Sequence, residues 1–138
     1  MSAARGYSLM ELITVLVIAG ILAAIVVPQF NEPQIDASWY YEKVKAAVRY
    51  AQRQAVAQRR TVYVVVSAPS VQLCYDAACT SPLNDFASGT AYVAAAPSGV
   101  TLTPVTFSFN GLGQPSAGTT FSVGSLPVTV VAETGYVP

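Results

Sequence analysis

The chain of 138 residues has no histidine, two cysteines, and seven lysines and arginines against seven aspartates and glutamates. Without histidine there is no His-ligated metal site, no Ser-His or Cys-His catalytic pair and no imidazole general base. Two cysteines fall short of a structural zinc centre, which takes four ligands. Charged residues make up 10% of the chain, against about 25% in ordinary soluble domains. The formal net charge is zero, so bulk charge makes no case for a polyanion-binding protein. What is abundant is apolar: 53% of the residues, which excludes disorder. The length fits one globular domain rather than two.

The apolar excess is concentrated at the front, where residues 12–27 read LITVLVIAGILAAIVV. Extended back to Tyr7, the run is interrupted by one acid, Glu11, and would form a helix about 32 Å long, enough to cross a hydrocarbon core. A cleaved signal peptide is the competing reading. The basic region before the run is only Arg5, and no A-x-A-like cleavage site follows it, so the segment is expected to remain as an anchor. Arg5 on the short side predicts a cytoplasmic N-terminus with the remainder exported. Gly20 and Ala24 form a small-xxx-small pair, as do Ala19 and Ala23, giving a thin face where other helices can approach. Pro28 is expected to kink or end the helix. A carboxylate in such a segment costs up to about 2.5–3.5 kcal/mol at the bilayer centre. Glu11 therefore either sits solvated at headgroup level or has a cationic partner.

From residue 31 onward the sequence reads as an exported head. Asn31-Glu32-Pro33-Gln34 has an N-cap residue, a Pro in the first turn and a Gln three positions on. A helix is expected over about 36–60, because Tyr40, Val44, Ala47, Val48, Ala51 and Ala55 recur at three- and four-residue steps. After Arg60 the period changes. Short β-branched and aromatic runs at 61–67, 71–75, 90–93, 100–103, 106–109, 119–123 and 128–132 are separated by Pro, Gly, Ser and Asn. The expected fold is α+β, a helix packed on antiparallel sheet. Cys74 and Cys79 form one pair; an exported location favours a disulfide that staples a hairpin, the alternative being two buried thiols.

Six basic residues and one acid lie between Glu42 and Arg60. Lys45, Arg49 and Arg53 follow one another at i, i+4 spacing, with Arg59 and Arg60 beyond them. One reading is a solvated helix face; the other is a phosphate track for DNA. Tyr50 is the one aromatic among these cations, too few for an interleaved stacking track, which favours the solvated face. Trp39-Tyr40-Tyr41 admits a recognition patch, although helix-to-sheet packing uses such residues more often.

The string RGYSLMELITVLVIAGILAAIVVPQF resembles the N-terminus of type IV prepilins and of the pseudopilins of type II secretion. That family has a short basic leader ending in Gly, Ser/Thr-Leu-x-Glu-Leu after the first mature residue, a long apolar helix, and Pro before an aromatic residue. The resemblance divides the chain into a leader at 1–6, a transmembrane and assembly helix at 7–30, and a periplasmic pilin head at 31–138. It implies a long N-terminal helix, half in the membrane and half periplasmic, packed on an antiparallel sheet. It also implies cleavage between Gly6 and Tyr7 by a prepilin peptidase and N-methylation of Tyr7, which stands where Phe or Met is usual. Glu11 would then pair with the N-terminal amine of a neighbouring subunit, with Gly20, Ala24 and Pro28 in the assembly helix. YAQRQAVAQRRTVYV, FSFNGLGQPS and ETGYV are similar to the minor-pilin and pseudopilin-H group, and most of all to minor pilins of the mannose-sensitive haemagglutinin pilus.

The expected function is accordingly structural, in assembly or priming of a type IV pilus at the inner membrane. The alternatives are a type II secretion pseudopilin and a minor pilin whose head binds DNA for uptake. The expected partners are other pilin subunits, the prepilin peptidase and inner-membrane lipid, with DNA not favoured. No catalytic residue, cofactor or metal is expected, since Asp76, Asp85 and Glu133 are scattered without motif spacing.

Overall fold

The computed structural model describes residues 8–26 and 32–138. Arg5, Gly6, Tyr7, Pro28 and Asn31 lie outside the described residues. The chain divides into two compact units, Met1–Glu32 and Pro33–Pro138.

The first unit contains helix α1, Leu9–Val26. Its start is fixed by Ser8, whose Oγ accepts the Glu11 N–H at 3.3 Å. The Ser8 carbonyl accepts from Glu11 and Leu12 at 3.0 and 3.2 Å. Ser8-Leu9-Met10-Glu11 thus carries the S-x-x-E pattern of a capping box, with Glu11 at the third helical position. Farther in, the Thr14 hydroxyl donates to the Met10 carbonyl at 2.7 Å, so the one hydroxyl of the apolar run is satisfied within the helix. The 18 residues of α1 measure about 27 Å. Among the described residues no helix is long and apolar enough to cross a membrane. The segment expected at 7–30 extends past α1 at both ends, into residues outside the described ones.

The second unit is α+β, as expected. Helix α2, Glu32–Gln58, begins within the Asn31-Glu32-Pro33-Gln34 signal, where the sequence allows a helix to restart, and runs unbroken into the stretch expected from 36. Tyr40, Val44, Ala47, Val48, Ala51 and Ala55 are fully buried, the stripe that the spacing foretold. Three alanines in that stripe let the helix axis lie close to the sheet.

Helix α2 ends in a Schellman turn. The Arg59 N–H donates to the Val56 carbonyl and the Arg60 N–H to the Ala55 carbonyl, at 3.3 and 3.2 Å. Arg59 has a φ of 51°, the left-handed conformation that glycine usually supplies at this place.

Four antiparallel strands form the main sheet: β1 (Val62–Ser67), β2 (Ser70–Cys74), β3 (Val93–Ala95) and β4 (Val105–Phe109), in the order β3-β2-β1-β4. Val64 pairs with Leu73 on one side and Phe107 on the other, which places these three in one buried row. Strands β5 (Thr119–Val123) and β6 (Leu126–Val130) make a second, two-stranded sheet. Gly124, at φ 60°, opens their two-residue turn and Ser125 does not share the positive φ, which is the type II′ geometry that suits strand twist. Phe107 and Phe121 bring the two sheets into one core, their rings 6.1 Å apart.

Two expected strands differ. Residues 100–103 form only an isolated bridge, Leu102 to Val123, held by Thr103 N–H to Ser122 O and Gly124 N–H to Thr101 O. Pro97 and Pro104 bracket this stretch and shorten what can join a ladder. The expected strand at 90–93 lies farther on, at β3. Thr90 and Ala91 close a side loop instead, through the Asn84–Ala91 bridge and the bond from Asp85 N–H to Thr90 O.

Candidate functional site

Every described apolar side chain of α1 from Leu9 to Leu22 is exposed, between 46% and 75% for the large ones. The helix is apolar on all faces, with Glu11 in its first turn as the one charge. A Cβ added at Gly20 would meet nothing within 4 Å, so no contact among the described residues requires glycine there. Ala24 lies in the same helix, one turn on.

On α2 the basic stripe is largely consumed inside the head. Lys45 pairs with Glu42 at 3.3 Å and its ammonium lies 4.9 Å from the Tyr41 ring centre. Arg49 donates two bonds to the Val137 carbonyl, at 2.9 and 3.3 Å. Beside it, Gln52 Nε2 donates to the carbonyls of Gly113 and Thr134, both at 2.8 Å. Gly135, at φ 66°, is required here: a Cβ would lie 2.7 Å from Gln52 Nε2 and 2.8 Å from the Phe109 ring. The ETGYV segment is thereby a clasp that draws the chain beyond β6 onto α2. Arg60 stacks on Tyr75, 3.8 Å from the ring centre, and the Tyr75 hydroxyl donates to Gln58 Oε1 at 2.9 Å.

Cys74 and Cys79 are joined by a disulfide. Asp76 organises the loop between and after them. Its Oδ2 accepts from the Thr80 N–H and hydroxyl, its Oδ1 from the Ser81 N–H, and its carbonyl from the Cys79 N–H. The backbone donors of Thr80 and Ser81 hold the Asp76 carboxyl below the usual carboxylate range. On β3, the edge strand next to β2, the Ala94 carbonyl accepts from the Tyr40 hydroxyl at 2.7 Å, and burial together with Tyr92 pushes the Tyr40 pKa up to about 12. Tyr92 is also raised, by burial, by Asp85 and by Tyr50, whose ring stacks on it at 5.4 Å. These are packing tyrosines.

Arg53 and Arg59 remain outside these arrangements. Both are exposed, and neither has an acidic partner among the described residues. They flank the turn expected from Asn110-Gly111 and Gly113-Gln114-Pro115, here Asn110-Gly111-Leu112-Gly113-Gln114. Asn110 Oδ1 accepts from the N–H groups of Leu112 and Gln114, and the Asn110 N–H donates to the Gln114 carbonyl. Gly111 lies against the Schellman turn, where a Cβ would come within 2.9 Å of the Arg59 backbone. The turn presents Leu112 at 81% exposure above Val56, itself 47% exposed. A hollow of about 330 Å³ lies on the Arg53 side and one of about 570 Å³ on the Arg59 side, both lined by Val56 and Leu112.

Among the described residues no group of three or more Cys, Asp or Glu is placed to hold a metal ion. The capping box at Ser8 was legible as S-x-x-E, but Glu11 stands out in an apolar run and draws the reading to itself. Nothing in the sequence marks Arg59 as left-handed, since the usual glycine is missing. No family model, curated protein or solved structure matches the chain.

Proposed function

We propose that the chain is a minor pilin or pseudopilin, a structural subunit held in the bacterial inner membrane by α1, with its head in the periplasm. By the likeness of its head motifs, the filament is a type IV pilus of the mannose-sensitive haemagglutinin kind. One observation carries the reading: α1 is apolar on every face, its described side chains are exposed, and its first turn holds one acid. A helix of this composition is completed by lipid or by other apolar helices, and a filament subunit uses both in turn. Gly20 fits this use, since its smallness serves no contact among the described residues.

Glu11 supplies the registration. As a third-position residue it faces the partial positive charge of the helix start, worth about 0.3–1 kcal/mol. That is less than the cost of a carboxylate deep in a bilayer, about 2.5–3.5 kcal/mol at the centre. Cleavage after Gly6 frees an amine on Tyr7, and the amine of a neighbouring subunit offsets the difference. Removing Glu11 relieves the membrane of a charge while depriving the filament of a pair. DNA capture has less support, because Lys45, Arg49 and Arg60 are engaged within the head.

The test compares Glu11→Ala with the unaltered chain, coexpressed with a prepilin peptidase and partner pilins. Intact mass should show loss of six residues and gain of one methyl group in both. The variant should reach an equal or higher membrane level, with incorporation into filaments reduced at least tenfold. Equal incorporation at equal membrane level would make Glu11 a solvated interfacial acid and remove the assembly reading.

A further inference from the structure

The head carries a second pair of complementary surfaces. One is the Leu112 turn with its two hollows, closed on one side by Arg53 and on the other by Arg59. Its rigidity comes from the Asn110 bonds and the Gln52 bond to Gly113. Arg59 takes the left-handed place of the Schellman turn, which glycine usually fills, and its side chain stays exposed beside the Leu112 turn. A charged side chain kept at such a place, beside an unpaired second cation and an exposed leucine, has the make-up of a binding surface for an apolar group accompanied by a carboxylate.

The other surface supplies that chemistry. Phe86 is 96% exposed at the tip of a loop, with Asp85 next to it. The loop is built rather than loose: Asp85 accepts from the Ala87 N–H and the Ser88 hydroxyl, and its carbonyl accepts from the Gly89 N–H at 2.8 Å. Lys43 of α2 lines the hollow beside Asp85, while Val56 of α2 lines the hollows beside Leu112. Those two positions are about 20 Å apart along the helix axis and about 140° apart around it. A chain therefore cannot place its own Phe86 in its own Arg-flanked hollow.

We propose that the Phe86 loop of one copy docks into the Leu112 surface of a second copy, Phe86 against Val56 and Leu112, and Asp85 toward Arg53 and Arg59. Knob and hollow lie on different sides of the head, so the contact is heterologous and passes on from copy to copy rather than closing a two-fold dimer. A buried phenyl ring brings about 150–250 Å², well below the about 1,200 Å² of a stable complex. The contact is weak by itself and gains weight where copies are already held side by side. It involves the head alone and stands or falls separately from the Glu11 pairing.

Two populations of the full chain in mild detergent test it, one carrying Ala87→Cys beside Phe86, the other Ala57→Cys in the Arg53 hollow and a size tag. With Cys74 and Cys79 in their disulfide, the introduced thiols are the ones that a short bismaleimide can join. The mixture should give at least tenfold more cross-linked dimer than either population alone. Arg53→Glu with Arg59→Glu in the tagged chain should lower the mixed product at least fivefold, as should Phe86→Ser in the other, with melting temperatures unchanged as a check on folding. Like-with-like product equal to the mixed product, or mixed product indifferent to the charge reversal, overturns the proposal. So does absence of cross-linking combined with retention of a short DNA duplex through the same arginines, which would assign the surface to nucleic acid.

Discussion

Helix α1 is the more apolar of the two helices, yet its described side chains are exposed, whereas α2, with far more polar residues, has a stripe of six fully buried ones. The difference lies in arrangement. Apolar residues of α2 recur with the helical period and meet a sheet whose inward positions are Val, Leu and Phe, so the chain completes that face itself. In α1 they are spread around the whole circumference, and no single sheet or helix could cover them. Periodicity marks a helix that is finished within its own chain; uniform hydrophobicity marks one that is finished by its surroundings.

The contrast is broken most severely by placing the same charge on each helix. Val48→Asp inserts a carboxylate at a fully buried position and is expected to cost more than about 4 kcal/mol, leaving no cooperative melt of the head. Ile18→Asp, at a position 53% exposed, should leave the head's Tm within about 2 °C while removing the chain from the membrane fraction. If Ile18→Asp instead unfolded the head, or the chain stayed in the membrane, the two helices would not divide their roles in this way.

A finer test asks how α2 is attached to the sheet edge. Tyr40→Phe removes a buried hydrogen bond to Ala94 O, an expected loss of about 1 kcal/mol in urea unfolding. The folded pKa of Tyr40, about 12, stands above its unfolded value of about 10. Its contribution is thus complete below about pH 10 and lost as pH rises toward 12. The Phe variant should lack that part of the alkaline transition, and an unchanged alkaline profile would assign it to other groups.

The smallest effect belongs to the disulfide loop, which is tied to the end of α2 through Tyr75. Because the Asp76 carboxyl lies below its ordinary value, its bonds to Thr80 and Ser81 persist above about pH 4 and are lost as pH falls through the lowered value. Amide exchange at Thr80 and Ser81 should speed up there relative to the strand amides of β1. Asp76→Asn, which has no carboxyl to protonate, should abolish that onset, with the global melt little changed. Coincident exchange of loop and strand would show the loop to be part of the cooperative core.

Much of the fold was legible because it rests on short-range pattern. The buried stripe of α2, strand β5 and the change of period after Arg60 each follow from the spacing of neighbouring residues. The basic stripe was not legible, because what separates Arg49 from Arg53 is a carbonyl at Val137, 88 residues away. Spacing along a helix fixes which cations share a face and says nothing of which distant carbonyl will meet them. The same holds for Leu112. FSFNGLGQPS reads as a turn, but its position against the end of α2 depends on Gly111 lying on the Arg59 backbone.

The clasp at Val137 also sets an order of events. Val137 is 1% exposed in the same core as Tyr40 and Val62, and its carbonyl is held from the middle of α2. The head can close only after residue 137 has emerged from whatever machine is delivering the chain. Until then part of the cover of α2 is still in transit, and exposed apolar surface of that kind is where nascent chains meet chaperones or one another. Contacts spanning most of a domain also slow its closure. A head built in this way suits delivery as an unfolded thread, because it withholds its final packing until delivery past residue 137 is complete.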